Sequence, residues 1–556
     1  MQLVDTPFTI SPNFAHIEND LNNALLSEVQ DAYSLQPRLV QALTNFSQIN
    51  GINILQLTAL DNRVYREYAA TWLKNNSKNR VDQDTDVPII IAESASEAEL
   101  FGIYHNKSDS LESGLLQQAN GGFLIISPSI LLANPYLWPR LKSVLQGSSI
   151  TIPSSDLKSP KATNHQLSVD VKLLIVGDRA LLGEIEQLEP DLLAGMSMYS
   201  EYEFDTKISS DSVTAYVQLI NTILIDNGHL PLNDGLSLLP LLKVGARECE
   251  DQTRLNLCLI WLNSFLAHAS LASESKTTIC AADFNRAIES KYYIESYLPS
   301  RALDDILENN ILIETQGEKV GQINGLTVVS VPGHPISYGE ASRISCVVHT
   351  GDGELSDVER KVELGGNIHA KGMLIMQAYI LSQLDSREPL PFTASMVFEQ
   401  SYCEVDGDSA SLAELCALLS ALSIKPITQS IAITGSVDQF GSAQPIGGVN
   451  EKIEAFYQLC QKRGLTGEQG VIIPATNGIN LVLSDDVVQA VEDNLFTIYP
   501  VNNVEEAVEI LLGLPLQSEE HESVFSLIAQ HIEDVEHHPT HCSALLCRIK
   551  HWFNQR

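Results

Sequence analysis

The sequence predicts a multidomain chain that is α/β at its start, helical in its middle and α+β towards its end. Three observations predict this. Over the first 200 residues short apolar runs alternate with helical patterns, as in a parallel sheet with crossover helices. Residues 210–310 carry helical periodicity. Near residue 311 the texture changes to strands broken by Gly and Pro-Gly turns. With 556 residues, the chain can hold three or four cores at about 150 residues each.

The elements follow in order. INILQLT (52–58) is a buried-strand pattern, and RVYREYAATWLK (63–74) after it is helical. VPIIIA (87–92), FLIIS (123–127) and VKLLIVG (171–177) are three more strands. TRLNLCLIWLNSFLAHASLA (253–272) and AADFNRAIESKYYIESYL (281–298) read as helices, with Asp283 in a first turn, where negative charge suits the dipole. ILIETQGEKVGQINGLTVVSVPGHP (311–335) and RISCVVHTG (343–351) are strands and turns of a new domain. Helices are expected at AKGMLIMQAYILSQL (370–384) and VEEAVEILLGL (504–514), with a tail from 516 to the end.

Composition narrows the function classes. Lys+Arg number 34 against 70 Asp+Glu, a net charge of −36. Such a chain repels nucleic acid and anionic membranes at long range, so no nucleic-acid partner is expected. The nine cysteines are an odd number and form no CxxC pair, which fits free thiols in a reducing cytoplasm. MQLVDTPFTISPNF has neither a basic nor an apolar leader segment, so no signal peptide is expected. The apolar stretches 121–138 and 255–272 are broken by polar residues, and no transmembrane segment is expected.

Two segments bear on chemistry. In FEQSYCEVDGDSASLAELCALLSAL (398–422) an extended run enters DGDSAS, and a helix follows. Ser409 thus falls at a strand-to-helix turn, where free backbone N–H groups can stabilise an anion. The plainer reading is that Asp408 or Ser409 caps the helix. No GxSxG elbow is present, and His369 is the one histidine expected near this domain's core. In ITGSVDQFGSAQPIGGVNEKIEAFYQL (433–459) a strand, a turn and Gly-Gly precede a helix with Lys452 in its first turn. The helix dipole disfavours a cation there, and burial would add to that, making a neutral amine available as a base. A solvated lysine opposite Glu451 or Glu454 is the plainer reading.

Taken together, DGDSAS, TGSV and PIGGVNEK, with GGNIHAKGMLIMQAYI (365–380) and VIIPATN (471–477), resemble the Ser–Lys dyad domain of Lon proteases, in particular the Lon-B-like branch. That resemblance implies Ser409 as nucleophile, Lys452 as general base and Thr434 as a residue that orients the lysine. Asp406 and Asp408 match acidic positions flanking the serine. It implies acyl transfer with no metal, and a hexameric ring, a homo-oligomer that takes unfolded or loosely folded polypeptides.

The first 300 residues resemble, more faintly, the AAA+ motor of that family. The resemblance divides the chain into a degenerate AAA+-like region (1–205), a helical lid-like domain (206–308), a Lon-type proteolytic domain (309–515) and a tail (516–556). A phosphate loop needs GxxxxGK[ST], yet TALDNRVY (58–65) stands in its place and the chain has no Gly-Lys dipeptide. Ser127, Pro128 and Ser129 stand where the magnesium-binding acid belongs. No nucleotide cofactor is therefore expected, and ATP hydrolysis has no catalyst. Arg247, in GARECEDQTRL (245–255), marks a sensor-like helix or is simply a surface arginine. Three functions stay open: an ATP-independent Ser–Lys endopeptidase, an ATP-dependent Lon protease with a diverged nucleotide site, and a non-catalytic scaffold of a Lon ring.

The tail holds His521, His531, His537, His538, His541, Cys542, Cys547 and His551. Their spacing fits no common zinc site, so a solvated tail is the expectation. CSALLCRIKHWFNQR (542–556) reads as a short amphipathic basic helix suited to docking on a neighbouring subunit's acidic surface or, more weakly, to a membrane surface.

Overall fold

A computed structural model describes residues 9–26, 32–82, 85–105, 110–152, 165–351, 353–384, 391–401, 405–518 and 520–537. These residues form two compact units. One comprises residues 15–239 and 254–284; the other comprises the first 14 residues, residues 240–253 and everything from 285 onward.

The first unit is built on a five-stranded parallel sheet of β1 (Ile54–Thr58), β2 (Ile89–Ala92), β3 (Phe123–Ile126), β4 (Lys172–Gly177) and β5 (Met198–Glu201), in the order β2-β3-β4-β1-β5. β3 and β4 are buried along their whole length, which is why FLII and LLIV read as unbroken apolar runs. Helix α1 (Arg63–Asn76) follows β1, capped by Asn62, whose side chain accepts from Val64 N–H. The chain runs from β1 towards β2 on one side and places β5 on the other, so the sheet has a switch point at the carboxyl end of β1.

One expected helix is interrupted. Residues 253–272 open with a strand, Arg254–Asn256, that pairs antiparallel with Asp205–Lys207, and the helix itself is Leu259–Ala272. The Asn256 side chain accepts from Cys258 N–H just before that helix, breaking the apolar pattern where strand gives way to helix. The run 281–298 is likewise two helices, Ala281–Glu295 and Tyr297–Leu307.

The second unit is a seven-stranded mixed sheet: β6 (Gln322–Val329), β7 (Tyr338–Thr350), β8 (Leu355–Asp357), β9 (Phe392–Glu399), β10 (Ile431–Ile433), β11 (Gln469–Pro474) and β12 (Phe496–Val501), in the order β8-β9-β7-β6-β10-β11-β12. Residues on β10 and β11 alternate between its faces. Ile431, Ile433 and Ile472 join a core with α3 (Asn367–Leu384) and α4 (Ser411–Ser423). Ala432, Val471 and Ile473 join another with α5 (Val449–Arg463). The two helices that follow the predicted serine and carry the predicted lysine thus pack on opposite faces of one sheet. Helix α2 (Leu239–Glu248) contributes residues 240–248 to this unit.

The solvated-tail expectation does not hold from 516 to 534. Leu516, Val524 and Ile528 are buried in the α4 core, and residues Val524–His537 form a helix, α6. Val524, Ile528 and Ile532 recur every four residues, an apolar stripe that the histidine-rich composition masks. His531 donates through Nδ1 to the Leu422 carbonyl at 2.9 Å and lies against Phe392. His538, His541, Cys542, Cys547, His551 and the amphipathic segment 542–556 lie outside the described residues. Among the described residues no helix is long and apolar enough to cross a membrane, and no cluster of His, Cys, Asp and Glu is arranged to hold a metal ion.

Candidate active site

The N-terminal ends of α4 and α5, arriving from opposite faces, meet at the carboxyl end of β10. Ser409 occupies the turn before α4. It does not cap the helix, and neither does Asp408: the N-cap is Ala410, with no side-chain bond. Instead the Lys452 Nζ lies 2.8 Å from Ser409 Oγ and 3.2 Å from Thr434 Oγ1. Thr434, the residue after β10, also donates to the Ser409 carbonyl at 3.2 Å, and Gly435 N–H donates to the same carbonyl at 2.8 Å. Two bonds continue the stitching: Leu412 N–H to the Gly435 carbonyl at 3.1 Å, and Val437 N–H to Ser411 Oγ at 3.1 Å. The turn before α4 is therefore held by backbone bonds to residues 434–437 as well as by its side chains.

Lys452 reaches this point because α5 begins abruptly. Gly448, its N-cap, has φ +64°, a left-handed conformation, and a Cβ there would lie 2.5 Å from Val328 Cγ2. Glycine meets both demands. Asn450 anchors the same turn, accepting from Val482 N–H at 2.7 Å and donating to the Asn480 carbonyl at 2.9 Å. Asn477 brackets the preceding loop through both the N–H and the carbonyl of Ile446. The result is a lysine only 3% exposed. Burial pushes its pKa down to about 8, although Asp408 and Glu451 both pull it upward. The solvated-lysine reading is thereby corrected: Glu451 and Glu454 face Arg247, not a lysine in water.

The two aspartates part company. Asp408 contributes its charge near Lys452. Asp406 turns to the start of α3, where its Oδ1 accepts from Ile368 N–H at 3.2 Å and from Gly407 N–H at 2.9 Å. A Cβ on Gly366 would lie 2.3 Å from that same oxygen. Asp406 thus ties the turn before α4 to the start of α3.

His369 is buried, as expected, but its partners are carboxylates. Its Nε2 is 3.1 Å from Asp357 and its Nδ1 is 3.8 Å from Glu414, on α4. Glu359 lies beside them, accepting from Phe398 N–H at 2.9 Å. Desolvation opposes charge on all four groups. The ion pair prevails for Asp357, held low, and for His369, held high, whereas burial pushes Glu414 up to about 7. Nothing in the sequence joins these residues; Glu414 looks like an ordinary first-turn acid.

Arg247 is not a bare surface side chain. Its guanidinium forks onto Glu454 at 2.7 and 2.8 Å and reaches Glu451 at 2.9 Å. These partners stand more than 200 residues away, and no local pattern announces them.

In the other unit, the carboxyl ends of β1 to β4 carry a closed polar network. Arg66, on α1, is 2% exposed. It donates to Asp61 at 2.7 Å, to both oxygens of Glu93, one of them at 2.8 Å, and to the Val176 carbonyl at 2.9 Å. The Ser127 and Ser129 hydroxyls complete it, donating to Asp61 at 3.1 and 3.2 Å.

Comparison with known proteins places both halves. Residues 85–202 match the family model described as the LonB-like AAA domain, and residues 392–513 match that of the Lon protease (S16) C-terminal proteolytic domain. The chain is 45% identical over 449 residues to a Lon protease homolog of Escherichia coli (strain K12), an alignment covering 80% of this chain and 76% of that one. It is 43% identical over 453 residues to a homolog from Haemophilus influenzae (strain ATCC 51907 / DSM 11121 / KW20 / Rd), covering 78% and 74%. To the archaeal Lon protease of Thermoplasma acidophilum it is 24% identical over 436 residues, covering 76% and 62%.

Proposed function

The chain belongs to the Lon protease family, and on that premise we propose that it is a serine-type endopeptidase in which Ser409 is the nucleophile and Lys452 the general base. The observation that carries this reading is the 2.8 Å contact between Lys452 Nζ and Ser409 Oγ, made by an amine from which water is largely excluded.

A serine hydroxyl is a poor nucleophile until a base removes its proton. Lys452 in its neutral form accepts that proton as Ser409 Oγ attacks the substrate carbonyl. The resulting ammonium protonates the departing amine, and the acyl-enzyme is hydrolysed by water activated through the same lysine. Thr434 holds the amine by its hydroxyl, so the lone pair stays aimed at Ser409. The Ser411 and Leu412 N–H groups already bond to Asp408 and Gly435 carbonyls. Oxyanion donors would therefore come from the turn at Asp408–Ala410. Residues 309–515 would be the proteolytic domain, with unfolded polypeptides as substrates and a homohexameric ring as the assembly.

We propose further that this chain does not hydrolyse ATP. The Arg66–Asp61–Glu93 network occupies the carboxyl end of the sheet at its switch point, where α/β folds bind nucleotides. It satisfies its own cation internally and presents carboxylates where phosphates would need donors. The test is cleavage of unfolded casein with and without ATP. Ser409→Ala and Lys452→Arg should each abolish cleavage and leave the circular dichroism spectrum unchanged. Residual activity within about tenfold of wild type, or roughly 1.4 kcal/mol, would remove Ser409 from the nucleophile role.

A further inference from the structure

The two glutamates paired with Arg247 flank Lys452 on α5. Glu451 precedes the lysine directly, and Glu454 lies half a turn beyond it. Glu454 also accepts from Ser484 N–H at 2.8 Å, and the guanidinium contacts the Val482 carbonyl at 3.4 Å. One arginine therefore gathers the start of α5 and the segment 482–484. Its side chain is 29% exposed. Desolvation works against the guanidinium's charge, but Glu454 and Glu451 outweigh it and hold the group protonated.

The charge balance around the base is specific. The carboxylates acting on Lys452 are Asp408, from the nucleophile turn, and Glu451, from its own helix; both favour the ammonium form. A free Glu451 would keep the proton on the base. The nearby cations on the elements packed against α5 pair with other carboxylates. Arg343 on β7 faces Glu399 at 3.8 Å, and Arg301 faces Asp304 and Asp305 at 3.3 and 3.9 Å. Glu340 on β7 is pushed towards its neutral form by burial and by Asp305. Arg247 is the cation set against Glu451.

We propose that Arg247 is a positioning and charge-tuning residue for the base. By pairing with Glu451 and Glu454 it fixes the first turn of α5 opposite the nucleophile turn and cancels the negative charge beside Lys452, which keeps the amine ready to accept a proton near neutral pH. The inference rests on the reading of Lys452 as the base.

The test is the pH–rate profile of casein cleavage by the full chain. Arg247→Gln removes a cation and frees Glu451, and both changes favour the ammonium. The rising limb should move to higher pH by about half to one unit, so the rate at pH 7 falls about three- to tenfold while the rate at pH 10 falls less. Arg247→Lys keeps the charge and should keep the midpoint near that of wild type. Glu451→Gln should move the limb to lower pH, and the Arg247→Gln/Glu451→Gln double variant should return it towards wild type. An Arg247→Gln profile lowered equally at every pH, with its midpoint unmoved, would show a structural clamp only and overturn the proposal. If Arg247→Gln does not fold, Glu451→Gln decides alone, and an unmoved midpoint there also overturns it. A wild-type profile with no limb that depends on Lys452 would instead refute the base assignment, a separate outcome.

Discussion

The rate of peptide hydrolysis should rise about tenfold from pH 7 to pH 9 and then level off. The perturbation is titration of Lys452, and the magnitude comes from its burial. With the pKa pushed down to about 8, about 9% of the chains hold a neutral lysine at pH 7, about half at pH 8 and about 90% at pH 9. An ordinary lysine near 10.4 would be neutral in about 0.04% of chains at pH 7 and about 4% at pH 9, a rise of roughly a hundredfold with no plateau. The assay is the initial rate on saturating fluorescent casein, with Ser409→Ala subtracted as background. A solvent isotope effect would establish that proton transfer limits the rate. A hundredfold rise still climbing at pH 10 would refute the burial argument, and a flat profile would refute the lysine base altogether. Stability carries the same sign. Between about 8 and 10.4 the unfolded chain binds more protons at this site than the folded one, so stability rises with pH across that window. The gap of about 2.4 units corresponds to about 3 kcal/mol. Lys452→Met should therefore hold an advantage over wild type at pH 7 that shrinks by about that amount by pH 10.5, measured as the difference in urea unfolding free energy.

Thr434→Val removes the hydroxyl that positions the amine and should lower kcat about tenfold with KM little changed, whereas Thr434→Ser should keep most activity; equal loss in both would point to packing rather than orientation. Glu414, pushed up to about 7 by burial, contributes stability that is complete below about 4.5 and is lost as pH rises through about 7. Glu414→Gln should flatten that fall, worth up to about 3 kcal/mol, and a thermal midpoint that declines from pH 5 to 8 as steeply as in wild type would contradict it. Isothermal calorimetry should show no magnesium-dependent binding of ATP; micromolar binding would reject the closed Arg66 network and favour an ATP-dependent protease.

Much of the fold was legible because its signals are local. INILQLT, FLIIS and VKLLIVG are mostly apolar, interrupted only by Asn53, Gln56, Thr58, Ser127 and Lys172, and all three are central strands. The placement of Ser409 before a helix and of Lys452 in a first turn is also set locally, by the sequence around each helix start. The tail's burial is hidden for a local reason too, since the Val524, Ile528 and Ile532 stripe is short and set among histidines and acids. The strand at the start of the 253–272 run is not legible because three residues leave no periodicity to detect.

By itself, then, the sequence determined the order of most strands and helices, the residue types at the two helix starts, and that no GxxxxGK[ST] pattern occurs in the chain. Only the tertiary structure decided that α4 and α5 pack on opposite faces of one sheet and bring their first turns together beyond β10, joining residues 43 apart in the chain. It also decided that Lys452 is buried, that Asp406 bonds to the start of α3, that His369 meets Asp357 and Glu414, and that Arg247 pairs with Glu451. The reason is physical. Periodicity and capping depend on neighbours within a turn or two, whereas desolvation and ion pairing depend on what distant segments place around a group. The reactivity of a lysine is set by those surroundings and not by its own neighbours in sequence.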